Sequence, residues 1–264
     1  MNSTINSKRS LLLLIALIAI PFSQNALNAA TITSNGTGGG NYGAGASWVG
    51  GVPPANGDDV IIASGDTITL TGNVTCNSMR IQGHQTRLNV GSNTLTITTD
   101  LFAEAKSANN SSDIVNNGTV DIGDEFYIQS YNFNGFDFDI SGSGTIDGTT
   151  LIWWIAVTST ITGTISNSML LPSTRDMRFL SFTNSSIDVE FTDSLSCRNF
   201  ELYSFGNVND INIDGTDANF RLRTARIREY RRGGTVDCGS AGPKVYLTSN
   251  RLEGGTNLIY NDLI

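Results

Sequence analysis

Two acidic residues in the segment FDFDI are spaced so that they could act together. Asp137 and Asp139 alternate with apolar residues, so a β-strand would place both carboxylates on one face and the apolar side chains on the other. Paired carboxylates can cleave a glycosidic bond, and separations of roughly 5 to 9 Å decide the stereochemical outcome. Alternation alone would give the same pattern on any solvent-facing strand, which is the interpretation that the sequence favours.

Two adjacent tryptophans in the run LIWWIAV are candidates for contact with a sugar ring. Because neighbouring side chains of a strand point to opposite faces, one of Trp153 and Trp154 is expected in the core and the other outside it. The nearly continuous apolar run favours burial on both faces, beneath a loop or a subunit. An exposed indole would instead stack on a sugar, on a platform extended by Tyr127, Tyr131 and Phe133.

An arginine-rich segment near the C-terminus is a second candidate binding region. Residues 221–232 read RLRTARIREYRR and hold six of the chain's 16 lysines and arginines. Guanidinium groups pair well with carboxylates and phosphates, so an acidic polysaccharide or a lipopolysaccharide phosphate would suit them. A solvent-facing ladder that needs no ligand would show the same pattern and is the favoured interpretation. The candidate ligand-binding arginines are Arg221, Arg223, Arg226 and Arg228.

The segment DINIDGTD, residues 210–217, matches the first half of a calcium loop, with oxygen ligands at alternate positions before a glycine. The candidate ligands are Asp210, Asp214 and Asp217. The twelfth position, which should be a bidentate Glu, is Arg221, and Ile211 and Ile213 alternate as in a strand. We therefore interpret the segment as a strand that runs into an Asp-Gly turn. Ca²⁺ is the only cofactor that the sequence suggests.

The other reactive side chains carry little functional signal. His84 is the only histidine, so neither a Ser-His-Asp triad nor a zinc centre is expected around this turn residue. Cys76 and Cys197 occupy equivalent places in VTCNSMRI and SLSCRNFEL, which puts them several repeats apart, beyond the ~7 Å Cα limit of a disulfide. Both are expected to face the core, and pairing of Cys197 with Cys238 stays open.

The composition indicates the class of fold that must position these residues. The chain has 264 residues, of which 28 are Gly, 39% are apolar and only 15% are charged. A helical enzyme or a coiled coil would draw more on charged helix formers, and a disordered chain would have fewer apolar residues. Short segments of alternating polarity separated by turns of Asn, Gly, Ser and Thr predict an all-β protein.

Loose self-similarity then selects an architecture within the all-β class. Two columns of apolar residues recur about every 20 to 25 positions, which is typical of stacked coils. One column contains Leu95, Val120, Ile146 and Ile165, and the other contains Met79, Phe102, Phe126, Ile152 and Met169. The sequence therefore predicts a right-handed parallel β-helix (β-solenoid), with a β-sandwich as the alternative.

Residues 1–30 are expected to be a secretory signal peptide. Lys8 and Arg9 precede the apolar run LLLLIALIAI, and small residues follow up to Ala30. We expect a Gly-rich N-terminal cap over residues 31–58 and a single β-helix domain over 59–264, with no transmembrane segment after leader removal. Without the leader, 14 cations oppose 24 anions, a charge of −10 that argues against nucleic-acid binding.

The segment SWVGGVPPANGDDVIIASGDTITLTGNVTCNSMRIQG resembles the opening module of large exported bacterial β-helix surface proteins, especially type IX secretion cargo. The shared features are Trp48, a Gly-Gly pair, Pro53, the Asp58-Asp59 pair and a Gly-Asp turn between strands. The resemblance spans residues 31–100 and implies a cell-surface location with a role in adhesion or glycan contact. Such cargo usually ends in a β-sandwich sorting domain, and nothing after Leu247 is long enough to be one.

Together these features predict a secreted or cell-surface β-helix protein with a structural, adhesive or glycan-binding role, and retention in the periplasm stays open. Its expected partner is a glycan, an acidic polysaccharide or another surface protein. The alternative is a polysaccharide lyase or glycoside hydrolase that uses Asp137, Asp139 and the arginines. That alternative requires the carboxylates and the guanidinium groups to line one groove.

Overall fold

The computed structural model describes residues 29–106, 110–131, 135–148, 151–157, 159–170, 176–182, 185–192, 195–204, 210–214, 221–231, 235–237, 244–247, 252–253 and 262–263. The predicted leader, residues 1–30, therefore lies almost entirely outside the described residues. Among the described residues, no helix has the length and apolar character needed to cross a membrane.

The described chain consists of short strands and two 3₁₀ turns, Gly45–Ser47 and Val49–Gly51. The strands are β1 (Thr31–Thr33), β2 (Gly39–Asn41), β3 (Asp59–Ile62), β4 (Thr67–Thr69), β5 (Val74–Cys76), β6 (Ser78–Gln82), β7 (Thr86–Gly91), β8 (Thr94–Ile97), β9 (Leu101–Glu104), β10 (Asn110–Asn116), β11 (Thr119–Ile122), β12 (Glu125–Tyr131), β13 (Phe136–Ser141), β14 (Thr145–Gly148), β15 (Leu151–Val157), β16 (Thr160–Ile165), β17 (Ser168–Leu170), β18 (Asp176–Ser181), β19 (Ser186–Phe191), β20 (Leu195–Ser204), β21 (Asp210–Asp214), β22 (Arg221–Arg231), β23 (Thr235–Asp237), β24 (Lys244–Leu247), β25 (Leu252–Glu253) and β26 (Asp262–Leu263).

These strands stack as a parallel β-helix. One sheet has nine strands in the order β2-β4-β7-β10-β13-β16-β19-β21-β23, and the other has 17 strands. Within the larger sheet, two parallel ladders run along the molecule, one through β3, β6, β9, β12, β15 and β18 and one through β5, β8, β11, β14 and β17. The strand pairs are parallel, so the predicted fold is confirmed and the alternative antiparallel β-sandwich is wrong.

Alternation along each strand builds the core. In β12 and β10 every second side chain is buried, as expected when one face of the strand lines the interior. Isoleucine, valine, leucine and phenylalanine fill the interior, together with Trp154 at 0% exposure. The outward-facing residues of successive strands form rows that run along the solenoid, while a few polar side chains, such as Asn116, are buried.

The two columns proposed from the sequence are correct for most members and wrong at Phe102, Ile165 and Met169. Leu95, Val120 and Ile146 pair in register, but the next member is Met169, and Ile165 belongs to the nine-stranded sheet, where it pairs with Ile140. Gly163 lies inside β16, so an alignment that takes this glycine for a turn residue selects a strand of the wrong sheet.

The second column includes Phe102 where the strand register has its neighbour Leu101. Met79 pairs with Leu101, and Phe126 also pairs with Leu101, so Phe102 points outward. An alignment that follows the larger side chain selects Phe102, although alternation places it on the solvent face. From Phe126 the column continues through Ile152 to Met177, and Met169 falls in the other column.

Residues 31–58 contribute strands to the start of the solenoid. β1 pairs with β3 and β2 pairs with β4, so this segment supplies the first strand of two ladders. Trp48 is buried, packs edge-to-face on Tyr42 at 5.3 Å between ring centroids, and donates its indole N–H to the Tyr42 carbonyl at 2.7 Å. Burial raises the pKa of the Tyr42 hydroxyl above its usual range.

Cys76 faces the core, as predicted. It is fully buried and unpaired, and burial raises the pKa of its thiol to about 12, so the reactive thiolate is disfavoured. Cys197 lies on β20, five strand pairings along the ladder that begins with β5, and its side chain is outside the described part of the structure. Five strand steps of ~4.8 Å separate the two cysteines by roughly 24 Å, which excludes a disulfide between them. Cys238 lies outside the described residues.

Candidate functional site

A polar cleft of about 400 Å³ lies on the nine-stranded sheet. Consecutive strands β4, β7, β10 and β13 of that sheet supply its walls, together with the turn before β7. It is lined by Thr67, Gln85, Thr86, Arg87, Ser111, Ser112, Asp113, Asp137 and Asp139. Both acidic candidates from the sequence therefore line one cleft, which we call the polar cleft.

The strand register explains why these side chains converge. Arg87 pairs with Asp113, and Asp113 pairs with Asp139, so the three outward side chains form one row across β7, β10 and β13. Ser111 pairs with Asp137 in the neighbouring row. Since adjacent parallel strands lie ~4.8 Å apart, charges in one row act on each other at close range.

One of the three carboxylates has a cationic partner within the cleft. The Arg87 guanidinium donates from Nε to Asp113 Oδ2 at 2.8 Å and to Oδ1 at 3.0 Å, and its Nη2 lies 2.7 Å from Oδ2. These hydrogen bonds and the Asp113 charge raise the pKa of Arg87. The pair is partly exposed, so its geometry matters more to the shape of the cleft than to stability.

The other two carboxylates occupy different environments. Asp139 is half-buried, and burial raises the pKa of its carboxyl, with further increases from the charges of Asp137 and Asp113. The Thr164 N–H opposes this shift by donating to Asp139 Oδ1 at 2.7 Å. Asp137 is exposed and accepts a hydrogen bond from Thr162 Oγ1 at 2.8 Å. A half-buried acid beside an exposed one is an arrangement that glycoside cleavage can use.

The backbone next to the cleft is strained at one position. Gln85 has φ of +54°, in the left-handed region that favours glycine, and its side chain contributes to the lining. Residues held in such conformations cluster at ligand sites, where the surrounding structure must offset the strain. Among the described residues, no group of three or more His, Cys, Asp and Glu side chains is arranged to hold a metal ion.

The arginine-rich strand does not join the polar cleft. Arg221, Arg223, Arg226 and Arg228 lie on β22 of the 17-stranded sheet, whereas Asp137 and Asp139 lie on β13 of the nine-stranded sheet. The carboxylates and the arginines therefore cannot line one groove, as the lyase hypothesis requires. The side chains of these arginines are outside the described part of the structure.

The two tryptophans face opposite sides of β15, as predicted. Trp154 is in the core, where its ring stacks on Phe179 at 5.8 Å and meets Phe138 edge-on at 6.5 Å. Trp153 faces outward and is half-buried in a row of rings. We call this row the aromatic stack; it consists of Phe102, Tyr127 and Trp153.

The ring faces of the aromatic stack are occupied within the chain. Tyr127 is parallel to Phe102 at 5.0 Å and to Trp153 at 6.4 Å. The Arg80 guanidinium lies 3.8 Å from the centroid of Phe102, and that of Arg178 lies 4.7 Å from Trp153, so a cation closes each end. A sugar would therefore meet ring edges at this row rather than a free ring face.

The remaining candidates lie apart from the cleft. Tyr131 is 42% exposed at the end of β12 and donates its hydroxyl to Gln129 Oε1 at 3.3 Å. Asp210 and Asp214 begin and end β21, so the strand interpretation of that segment is confirmed. Asp217 and Phe133 lie outside the described residues, and His84 is exposed.

Sequence reasoning missed Arg87 and Asp113 as members of the site. A signal was present, since Arg87, Asp113 and Asp139 are evenly spaced along the chain and pair in the sheet. The aromatic stack shows a similar pattern, with Arg80 and Arg178 at equivalent positions of β6 and β18. The spacing along the chain does not show which residues lie side by side on neighbouring strands; that requires the strand register.

Comparisons of this chain with protein-family models, with curated proteins and with solved structures gave no match.

Proposed function

We propose that the protein is a secreted β-helix protein that binds glycans in the polar cleft of its nine-stranded sheet and acts in adhesion rather than catalysis. The observation that carries the proposal is the convergence of side chains from four consecutive strands on a cavity of about 400 Å³. Carboxylate, amide and hydroxyl groups on a rigid sheet suit a ligand with many hydroxyl groups, because each can hydrogen-bond to a sugar.

The location belongs to the same proposal. The signal-peptide pattern over residues 1–30 and the resemblance of residues 31–100 to exported surface proteins both support export to the cell surface. A parallel β-helix also suits an extracellular adhesin, because its repeated coils hold a long rigid surface away from the cell.

The proposal is tested by screening the mature chain on a glycan array and measuring the affinity of the best glycan by calorimetry. Asp137→Ala is expected to weaken binding about tenfold, which corresponds to the loss of one charge-assisted hydrogen bond. The matched control is Asp147→Ala, which removes an exposed carboxylate from β14 on the other sheet and is expected to leave the affinity unchanged.

Two results would contradict this assignment. If the parent chain binds no glycan, only a structural role remains. If a folded Trp153→Ala variant loses binding while Asp137→Ala retains it, the ligand sits on the aromatic stack instead of in the cleft.

Glycoside hydrolysis is the second candidate, and one observation favours it. Half-buried Asp139 and exposed Asp137 share a strand face in the cleft, and burial raises the pKa of Asp139 toward the range of a general acid. Release of reducing ends from a bound glycan by the parent, and none by Asp139→Asn, would establish hydrolysis. Intact glycan after long incubation with the parent would exclude it.

A further inference from the structure

The polar cleft offers a ligand hydrogen-bond acceptors more than donors. Two of its hydroxyl donors already form hydrogen bonds within the protein. Thr86 Oγ1 donates to the Gln82 carbonyl at 2.8 Å, and Ser112 Oγ donates to the Gly83 carbonyl at 3.1 Å. The Arg87 guanidinium is held by Asp113. The carboxylate oxygens of Asp137 and Asp139 remain as the strongest groups that face the cavity.

The cleft also carries an uncompensated negative charge. Three carboxylates and one guanidinium line it, and Arg87 forms its ion pair with Asp113. Among the described residues, Asp137 and Asp139 form no ion pair, and their hydrogen-bond donors, Thr162 and the Thr164 N–H, are neutral. Two neighbouring anions, one of them half-buried, repel each other, and a cation bound beside them would offset this repulsion.

A ligand ammonium group fits this environment better than a metal ion. An ammonium supplies three N–H donors and one positive charge, so it can bridge two carboxylates in adjacent rows of a strand face. Among the described residues, no three or more His, Cys, Asp and Glu side chains are arranged so that they could hold a metal ion. An acidic sugar would instead place a third unpaired anion beside Asp137 and Asp139.

Building on the proposed glycan site, we propose that the polar cleft selects glycans that carry free amino groups over N-acetylated and acidic glycans. Asp137 and Asp139 hold the ammonium groups, and the neutral lining residues such as Gln85 and Ser111 contact the hydroxyl groups. Two partly exposed ion pairs give an expected preference of about tenfold over the N-acetylated form.

The test uses three β-1,4-linked hexasaccharides of equal length: glucosamine, N-acetylglucosamine and glucuronic acid. Calorimetry of the mature chain at pH 6 and low salt is expected to give about tenfold tighter binding of the glucosamine hexamer than of the N-acetylated hexamer, and the weakest binding for the acidic one. Raising the salt to about 0.5 M is expected to reduce the preference, because exposed ion pairs are screened.

Asp137→Asn and Asp139→Asn test whether the preference for the amino sugar depends on these two carboxylates or on the net negative charge of the whole chain. Each keeps an acceptor oxygen but removes a charge, so it should weaken binding of the glucosamine hexamer more than binding of the N-acetylated hexamer and thereby reduce the preference for the amino sugar. The matched control Asp147→Asn removes an equal charge from the other sheet and should preserve the preference.

The outcomes distinguish this inference from the proposed function. Equal affinities for the three hexamers, a preference for the acidic one, or a preference that survives both substitutions would overturn the inference while glycan binding stands. Binding of none of the hexamers, together with an empty glycan array, would overturn both.

Discussion

Replacing Asn116 or Asn167 with alanine is expected to destabilise the β-helix strongly, although the two residues are 51 positions apart in sequence. Both side chains are buried inside the solenoid, at 0% and 1% exposure. Asn116 Nδ2 donates to Asn167 Oδ1 at 2.7 Å, and Asn167 Nδ2 donates back to the Asn116 carbonyl at 3.2 Å. The pair therefore reports directly on how the coils stack.

The magnitude follows from the groups that each substitution would leave unpaired. Asn116 also donates to the Thr145 carbonyl at 3.1 Å and accepts from the Gly118 N–H at 3.0 Å, and Asn167 donates to the Gly142 carbonyl at 3.1 Å. Each single substitution removes three hydrogen bonds in a buried site, so we expect a loss of about 3 kcal/mol in the free energy of unfolding. Because the two residues share partners, the double variant should cost about 1 to 3 kcal/mol less than the sum.

The assay is equilibrium unfolding in urea of the parent, the two single variants and the double variant, followed by circular dichroism and tryptophan fluorescence. A matched cycle with Asn35→Ala, in the N-terminal segment, should be additive with Asn116→Ala within about 0.5 kcal/mol. Additive losses for Asn116 and Asn167, or losses below about 1 kcal/mol, would refute the stacking that brings them together.

Three further predictions concern single buried groups. Asp66→Ala should lower the free energy of unfolding by about 2 to 3 kcal/mol, because this buried carboxylate accepts from Ser34 Oγ at 2.5 Å and from the Gly36 and Gly38 N–H groups at 2.8 Å; no change in urea unfolding would contradict it. Trp154→Phe should change the free energy of unfolding by less than about 1 kcal/mol, because the buried indole N–H makes no hydrogen bond in the described structure and its removal offsets the lost packing. A loss above about 3 kcal/mol would contradict this expectation. Burial opposes ionisation of Glu104, yet its cationic and amide partners hold its pKa below the usual value. The stabilising contribution of Glu104 is therefore present above about pH 4.3 and is lost as the pH falls below that value. Glu104→Gln should reduce the fall of the melting temperature at acid pH, and an unchanged fall would exclude this role.

The fold was predictable because alternation and turns are local properties. Strands such as β10 and β13 alternate in polarity. A repeat of about 20 to 25 positions can also be recognised although its exact length varies from coil to coil. The exact register was not predictable, since Leu101 and Phe102 are both apolar and only backbone pairing decides which one faces the core.

The site was partly predictable for the same reason. The shared face of Asp137 and Asp139 follows from period-2 alternation, and so do the opposite directions of Trp153 and Trp154. The sequence did not predict the neighbours across strands, so it missed Arg87. It also combined carboxylates and arginines that the coil geometry assigns to different sheets.

The occupied ring faces of Trp153 likewise depend on contacts between coils. Arg178 and Tyr127 each lie one coil away from Trp153, on opposite sides, and parallel pairing brings both onto its ring. A pattern of single residues predicts an outward indole but not what covers it.

Binding of a glycan to the polar cleft is tested most directly by mapping it onto the backbone amides. Titration of the isotope-labelled mature chain with its best glycan, followed by NMR, should shift the amides of β7, β10 and β13 around Arg87, Asp113 and Asp139. The amide signals of β9, β12 and β15, the strands that carry the aromatic stack, should not shift. Shifts confined to those three strands, with none on the nine-stranded sheet, would contradict the account.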